Sequence, residues 1–171
     1  MTLPRRFIKE STYFISRRIT QRQLWLKPTK KTNEIFLYCI ACAALRTGVQ
    51  VHAFCVMSNH WHAVVTDPDT RIASFYEFVH KYVSKAVNAS YGRWENLWSS
   101  EKTSVILLES EEDVLDKIRY IVCNPVEAGL VANPDNWPGS LMYKPGQSKI
   151  VNRPEIYFKD DGVMPKTATL T

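Results

Sequence analysis

No stretch of eighteen consecutive uncharged apolar residues occurs in the 171-residue chain, so no segment reads as a membrane-spanning helix. The opening Met1-Thr2-Leu3-Pro4-Arg5-Arg6 has no apolar core of the kind a secretory leader needs, and a cytoplasmic protein is expected. Internal repeats and low-complexity tracts are missing too. Cysteine is sparse: Cys39, Cys42, Cys55 and Cys123 fall within or beside apolar runs, which suits small buried hydrophobes in a reducing compartment. Cys39 and Cys42 form a Cys-x-x-Cys, but no second Cys or His pair follows at zinc-ribbon spacing.

Acid is scarcer than base. Lys plus Arg outnumber Asp plus Glu by 22 to 17, a net charge of +5, which by itself points only weakly to a polyanionic partner. The distribution says more. Arg5, Arg6, Arg17, Arg18, Arg22, Lys27, Lys30 and Lys31 crowd the first third of the chain, and Lys144, Lys149 and Arg153 the end. Acids gather at Glu109, Glu111, Glu112, Asp113 and Asp116. A basic third beside an acidic later helix is the footprint of a phosphate-facing surface on one folded domain.

The apolar pattern alternates between strand and helix periods. Strands are predicted over 13–19, 49–57, 60–66 and 104–108. A helix opens at Asn33 and closes at Gly48, an amphipathic helix runs over 72–90, and a third spans 111–123, opened by Ser110-Glu111-Glu112 and stopped near Asn124-Pro125. An aromatic-rich link, Arg93-Trp94-Glu95-Asn96-Leu97-Trp98, joins the second helix to the last strand. The order βαββαβα predicts an α+β ferredoxin-like sandwich, an antiparallel sheet covered by helices. One domain over 1–145 is expected, with a tail over 146–171 that either contacts DNA or is disordered.

Within the second hairpin stands Val56-Met57-Ser58-Asn59-His60-Trp61-His62-Ala63-Val64-Val65. Positions two apart on a strand share a face, so His60 and His62 stand together while Trp61 points the other way. Such a pair is either half of a metal site or two half-buried core histidines. Tyr120 and Asn124, four apart, share a face of the third helix. Tyr120 reads as a core aromatic or as a nucleophile, and Asn124 as a helix cap or an oxygen ligand. If that face packs over the histidine strand, His60, His62 and Asn124 surround a divalent ion with Tyr120 beside it. A tyrosine held there suits phosphoryl transfer, because a phosphotyrosine stores the bond that is broken. Tyr82 is the rival nucleophile, though it lies in its helix's apolar stripe with no ligand-type residue four positions on. His52 and His80 read as surface or packing residues. Arg17, Arg18, Lys81, Lys85 and Arg93 are candidate phosphate contacts, with Trp94 and Trp98 available for base stacking.

The Val56–His62 segment, together with Arg119-Tyr120-Ile121-Val122-Cys123-Asn124-Pro125-Val126-Glu127-Ala128-Gly129-Leu130-Val131 and the later Trp137-Pro138-Gly139-Ser140, resembles the single-tyrosine HUH transposases, above all the REP-associated tyrosine transposases. The likeness spans residues 5 to 145. It implies His60 and His62 as metal ligands, Asn124 as the third, Tyr120 as nucleophile and magnesium or manganese as the ion. The implied reaction is cleavage of single-stranded DNA beside a hairpin, leaving a 5′-phosphotyrosine and a free 3′ hydroxyl. The assembly is expected to be a monomer or a homodimer. After Leu97-Trp98 this chain departs from the family's usual Gln and Arg-Phe, with Ser99-Ser100-Glu101-Lys102 in their place. Beside this reading stand a domesticated, non-cutting binder of single-stranded hairpin DNA and a metal-dependent phosphodiester hydrolase without a covalent intermediate.

Overall fold

A computed structural model describes residues 6–156 and 164–171. Arg5, counted above in the basic cluster, and the tail segment 157–163 lie outside them. The main elements are strands β1 (Ser11–Arg18), β2 (Gln50–Val56), β3 (His60–Asp67), β4 (Ser104–Leu108) and β5 (Leu141–Met142), with helices α1 (Lys30–Thr47), α2 (Ile72–Tyr91) and α3 (Glu111–Glu127). The sheet order is β4-β1-β3-β2-β5, antiparallel throughout. β3 lies between β1 and β2, and β1 between β3 and β4. The two βαβ crossovers are therefore split and interleaved, which is the ferredoxin-like arrangement expected. Among the described residues no helix is long and apolar enough to cross a membrane.

Alternation along the strands sends side chains into two cores. Tyr13, Ile15, Phe54, Trp61 and Val65 pack beneath α1 and α2 with Phe36, Ile40, Phe75 and Val79. Phe14, Ala53, Cys55 and Val64 turn to the opposite face, where Ile121 of α3 and Trp137 cover them. A bulge between Val51 and Ala53 lets these two odd-numbered residues serve different cores. His60 and His62 fall on the α3 face because Trp61 between them is committed to the other. All four cysteines are free thiols, and burial pushes Cys55 up to about 12.

Three expectations need correcting. α1 begins earlier than Asn33, because Thr29 is its cap and accepts from the Thr32 N–H. Asn33 instead reaches across to donate to the Pro138 carbonyl at 2.7 Å. α3 does not stop at Asn124-Pro125 but continues through Pro125 to Glu127. One lost N–H is tolerated there: the Pro125 ring is buried, and its carbonyl still accepts from Leu130 at 3.0 Å. Gly129 closes the turn at φ 68°. The described part of the tail carries two short strands where no element was predicted. Strands β6 (Lys149–Asn152) and β7 (Thr167–Leu170) form a second sheet on α1, burying Val151, Ala168 and Leu170. This explains why α1 is apolar nearly all round, with Ile35, Phe36, Tyr38, Cys39, Ile40, Ala41, Cys42 and Ala43 all buried: it is sandwiched between two sheets.

Candidate functional site

The His60 and His62 rings stand side by side, centroids 4.6 Å apart. Phe14, also on the α3 face of the sheet, stacks on His62 at 5.3 Å and forms the floor. On α3, the proline-tolerant last turns keep Asn124 one turn beyond Tyr120, so both side chains face the histidine strand. The Tyr120 ring lies edge-on to His62 at 5.3 Å and to Phe14 at 6.0 Å. It is neither sunk in the core nor free of it, at 39% exposure. The Asn124 side chain is in hydrogen-bonding contact with His60. The four residues singled out from the sequence are thus brought together from β3 and α3.

Electrostatics keep both imidazoles neutral. Burial, aided by His60, Arg18 and Lys117, holds His62 down to about 3. Burial and Arg18 also lower His60, against a smaller upward pull from Asn124. A neutral imidazole has a lone pair to give to a metal. His60 Nδ1 lies 2.6 Å from Asn59 Oδ1, which places the proton on Nδ1 and leaves Nε2 as the donor atom. Both ring nitrogens of His62 are buried with no hydrogen-bond partner. Orphaned buried nitrogens on one of a pair of imidazoles, with an amide oxygen at hand, fit a divalent cation. Among the described residues no group of three or more His, Cys, Asp or Glu gathers as metal ligands; the side-chain oxygens beside the histidine pair are those of Asn59 and Asn124.

The cleft beside this wall has a volume of about 310 Å³ and is lined by Phe14, Ser16, Arg17, Arg18, His62, Lys117 and Tyr120, together with Ser99, Glu101, Lys102 and Ser104 of the link and the start of β4. The proposed phosphate contacts divide. Arg18 is exposed at the cleft and close enough to lower both histidines. Arg17 also lines the cleft, but its guanidinium is engaged within the fold: it donates to the carbonyls of Ser99, at 2.8 Å, and Glu101, which braces the link before β4. Lys81 and Lys85 are exposed on α2, in the layer behind the sheet. The Arg93 guanidinium sits over the Trp25 ring, 3.9 Å from its centre, and is not part of the cleft lining.

Sequence reasoning passed over Lys117, whose ammonium sits 5.3 Å from the Phe14 ring centre and 5.9 Å from that of Tyr120. Its signal was present, since Lys117 is three residues before Tyr120 and shares its helix face. Lys102, in the segment that departs from the family pattern, was missed as well. No purely local signal reports that this loop folds back over β1. His52 bonds the Thr66 hydroxyl at 2.7 Å and His80 accepts from the Trp61 indole at 3.2 Å, so both pack away from the site, as expected. Tyr82, the rival nucleophile, stacks on Phe78 in the other layer.

No family model matches the chain, and neither does any curated protein. Among solved structures, the proposed transposase of Deinococcus radiodurans R1 aligns over 71% of this chain and 95% of its own, at 17% identity and a TM-score of 0.48. A REP-associated tyrosine transposase bound to a REP hairpin aligns over 81% of both chains, at 22% identity and a TM-score of 0.66. The chain shares the fold of that REP-associated transposase.

Proposed function

We propose that this protein is a metal-dependent transposase or endonuclease that cuts and rejoins single-stranded DNA next to a hairpin through a 5′-phosphotyrosine on Tyr120. The observation that carries this reading is the convergence of Asn124 and Tyr120, one turn apart on α3, on His60 and His62 of β3. The fold shared with a transposase that is itself bound to a REP hairpin supports the choice of substrate.

His60, His62 and Asn124 would hold magnesium or manganese. Such an ion, when bound, polarises the scissile phosphate and stabilises charge on its oxygens. Arg18, Lys102 and Lys117 around the cleft offset the phosphate's negative charge. Tyr120 Oη attacks phosphorus and releases its proton to solvent. The new bond is O–P to tyrosine, the bond that breaks is P–O3′, and the departing 3′ oxygen takes up a proton. One phosphodiester replaces another, so the 3′ hydroxyl of a second strand end can reverse the step and rejoin the DNA. Phe14 and His62 hold the phenol ring by its edge and fix the direction of attack. Orientation of this kind lowers a barrier by as much as about 7–11 kcal/mol.

The test is incubation with a hairpin oligonucleotide carrying single-stranded flanks and manganese, followed by denaturing electrophoresis. A protein–DNA adduct that disappears in Tyr120→Phe supports the reading. An adduct that survives the substitution rejects the nucleophile, and tight binding with no adduct under any divalent ion favours a non-cutting hairpin binder.

A further inference from the structure

Trp94 is 86% exposed, and beside its turn Leu24 and Tyr91 are 51% and 43% exposed. Bare indole in water is costly, and a slack loop does not account for it here. Gly92 takes the left-handed conformation that ends α2, at φ 62°. The Arg93 N–H then donates to the Asn88 carbonyl at 2.8 Å, and the Asn88 amide donates to the Glu95 carbonyl at 2.6 Å. The Arg93 guanidinium is clamped on the Trp25 face at 3.9 Å, and Tyr91 packs edge-on to the same indole at 5.2 Å. Arg93 Nη1 is buried there with no partner. The turn is therefore braced at both ends, and Trp94 is held outward by a rigid mount.

The link that follows the mount runs along the end of β1. Thr20 N–H bonds the Leu97 carbonyl, Ser99 N–H bonds the Arg18 carbonyl, and Trp98 pairs with Ile19. Ser99 and Lys102 then line the candidate cleft. Four residues separate Trp94 from Ser99, five steps of chain with a reach of at most about 18 Å, which a few nucleotides of unpaired strand can span.

The geometry points to Trp94 as a stacking platform for an unpaired base in the DNA flank that leads into the cleft, a role that rests on the nucleic-acid reading above and adds a binding position to it. One indole held out into water, a short chain length from a cleft lined by Arg18, Lys102 and Lys117 along with Glu101, matches a single nucleobase over a backbone of phosphates. Three exposed apolar side chains are too little for a stable protein interface, which needs roughly 20–30 residues a side.

The experiment measures equilibrium binding, by fluorescence anisotropy, of a blunt DNA hairpin and of the same hairpin with a short single-stranded flank. Wild type, Trp94→Ala, Trp94→Phe and, as a control, Leu45→Ala at another exposed apolar side chain, 67% exposed on α1, are compared. Trp94→Ala weakens binding of the flanked hairpin by roughly 5- to 100-fold and leaves the blunt hairpin unchanged. Trp94→Phe restores most of the difference, and Leu45→Ala binds like wild type. Equal weakening of both hairpins, or of neither, overturns the platform while leaving the Tyr120 chemistry standing. Failure of wild type to bind either hairpin removes the nucleic-acid reading itself. A Trp94→Ala change in sedimentation coefficient with unaltered DNA binding assigns the indole to a second copy of the chain and overturns the proposal.

Discussion

The Tyr120 and His62 rings meet in a T-shaped contact with centroids 5.3 Å apart and planes at 71°, although one residue rides on α3 and the other on β3. That contact puts a phenol beside a buried imidazole both of whose nitrogens are unpaired, and the metal is the first thing to test. Manganese should raise the melting temperature of wild type in a concentration-dependent way, as any ligand that binds only the folded state does. His62→Ala, His60→Ala and Asn124→Ala should each reduce that increment. Chelator should return wild type to its metal-free melting temperature without unfolding it. Unfolding on chelation would mean the ion is structural.

Arg17 and Arg18 are neighbours in sequence with opposite assignments. Arg18→Ala should flatten the dependence of DNA affinity on salt by roughly 0.7–0.9 in log–log slope, the signature of one lost phosphate contact. Arg17→Ala should leave that slope unchanged and destabilise the fold by about 1–3 kcal/mol, because it unties the carbonyls of Ser99 and Glu101. Binding titrations at several salt concentrations, paired with urea melts, separate the two.

Stability should fall in acid through a defined window. Burial, with Arg17 nearby, holds His80 to about 3, and its Nε2 lone pair accepts the Trp61 indole N–H at 3.2 Å. An unfolded histidine titrates near 6.5. Between about pH 6.5 and 3 the unfolded chain therefore binds a proton that the folded chain refuses, and stability declines as pH falls, by up to about 1.4 kcal/mol per pH unit for each such group. His62 behaves the same way. His80→Gln keeps an acceptor for Trp61 and should remove one of these two protons from the slope, as read from urea melts between pH 4 and pH 7.

Gly139 is required for a spatial reason. A Cβ there would collide with the Trp137 ring and the Val56 carbonyl, the very pair joined by the Trp137 Nε1 hydrogen bond at 3.2 Å. Gly139→Ala should cost about 1–3 kcal/mol and loosen the end of β2 just ahead of the turn into His60. Thermal melts check the first effect and the manganese increment the second.

Much of this was legible in the residues. His-x-His on an alternating strand fixed the shared face, and the four-residue spacing of Tyr120 and Asn124 placed both on one side of a helix. What escaped was non-local. The alternating period cannot say which sheet face a later helix covers, so the contact of α3 with the histidine strand was a conditional statement until the topology supplied it. A proline usually ends a helix, and here the buried ring of Pro125 let α3 run on to Glu127 before Gly129 closed the turn. The even spread of apolar residues over α1 already implied a layer on both its faces, yet the short strands that provide one, Lys149–Asn152 and Thr167–Leu170, carry too few residues to announce themselves. Arg17 and Arg18 look alike in sequence, and only the structure shows one guanidinium bonded to the carbonyls of Ser99 and Glu101 while the other side chain is exposed at the cleft.

The most direct measurement is the location of the phosphoryl bond. After reaction with a flanked hairpin and manganese, nuclease trimming and proteolysis, tandem mass spectrometry should find the nucleotide remnant on Tyr120 and nowhere else. A remnant on Tyr82 or on any other side chain, or strand cleavage with no covalent species trapped, would contradict the account.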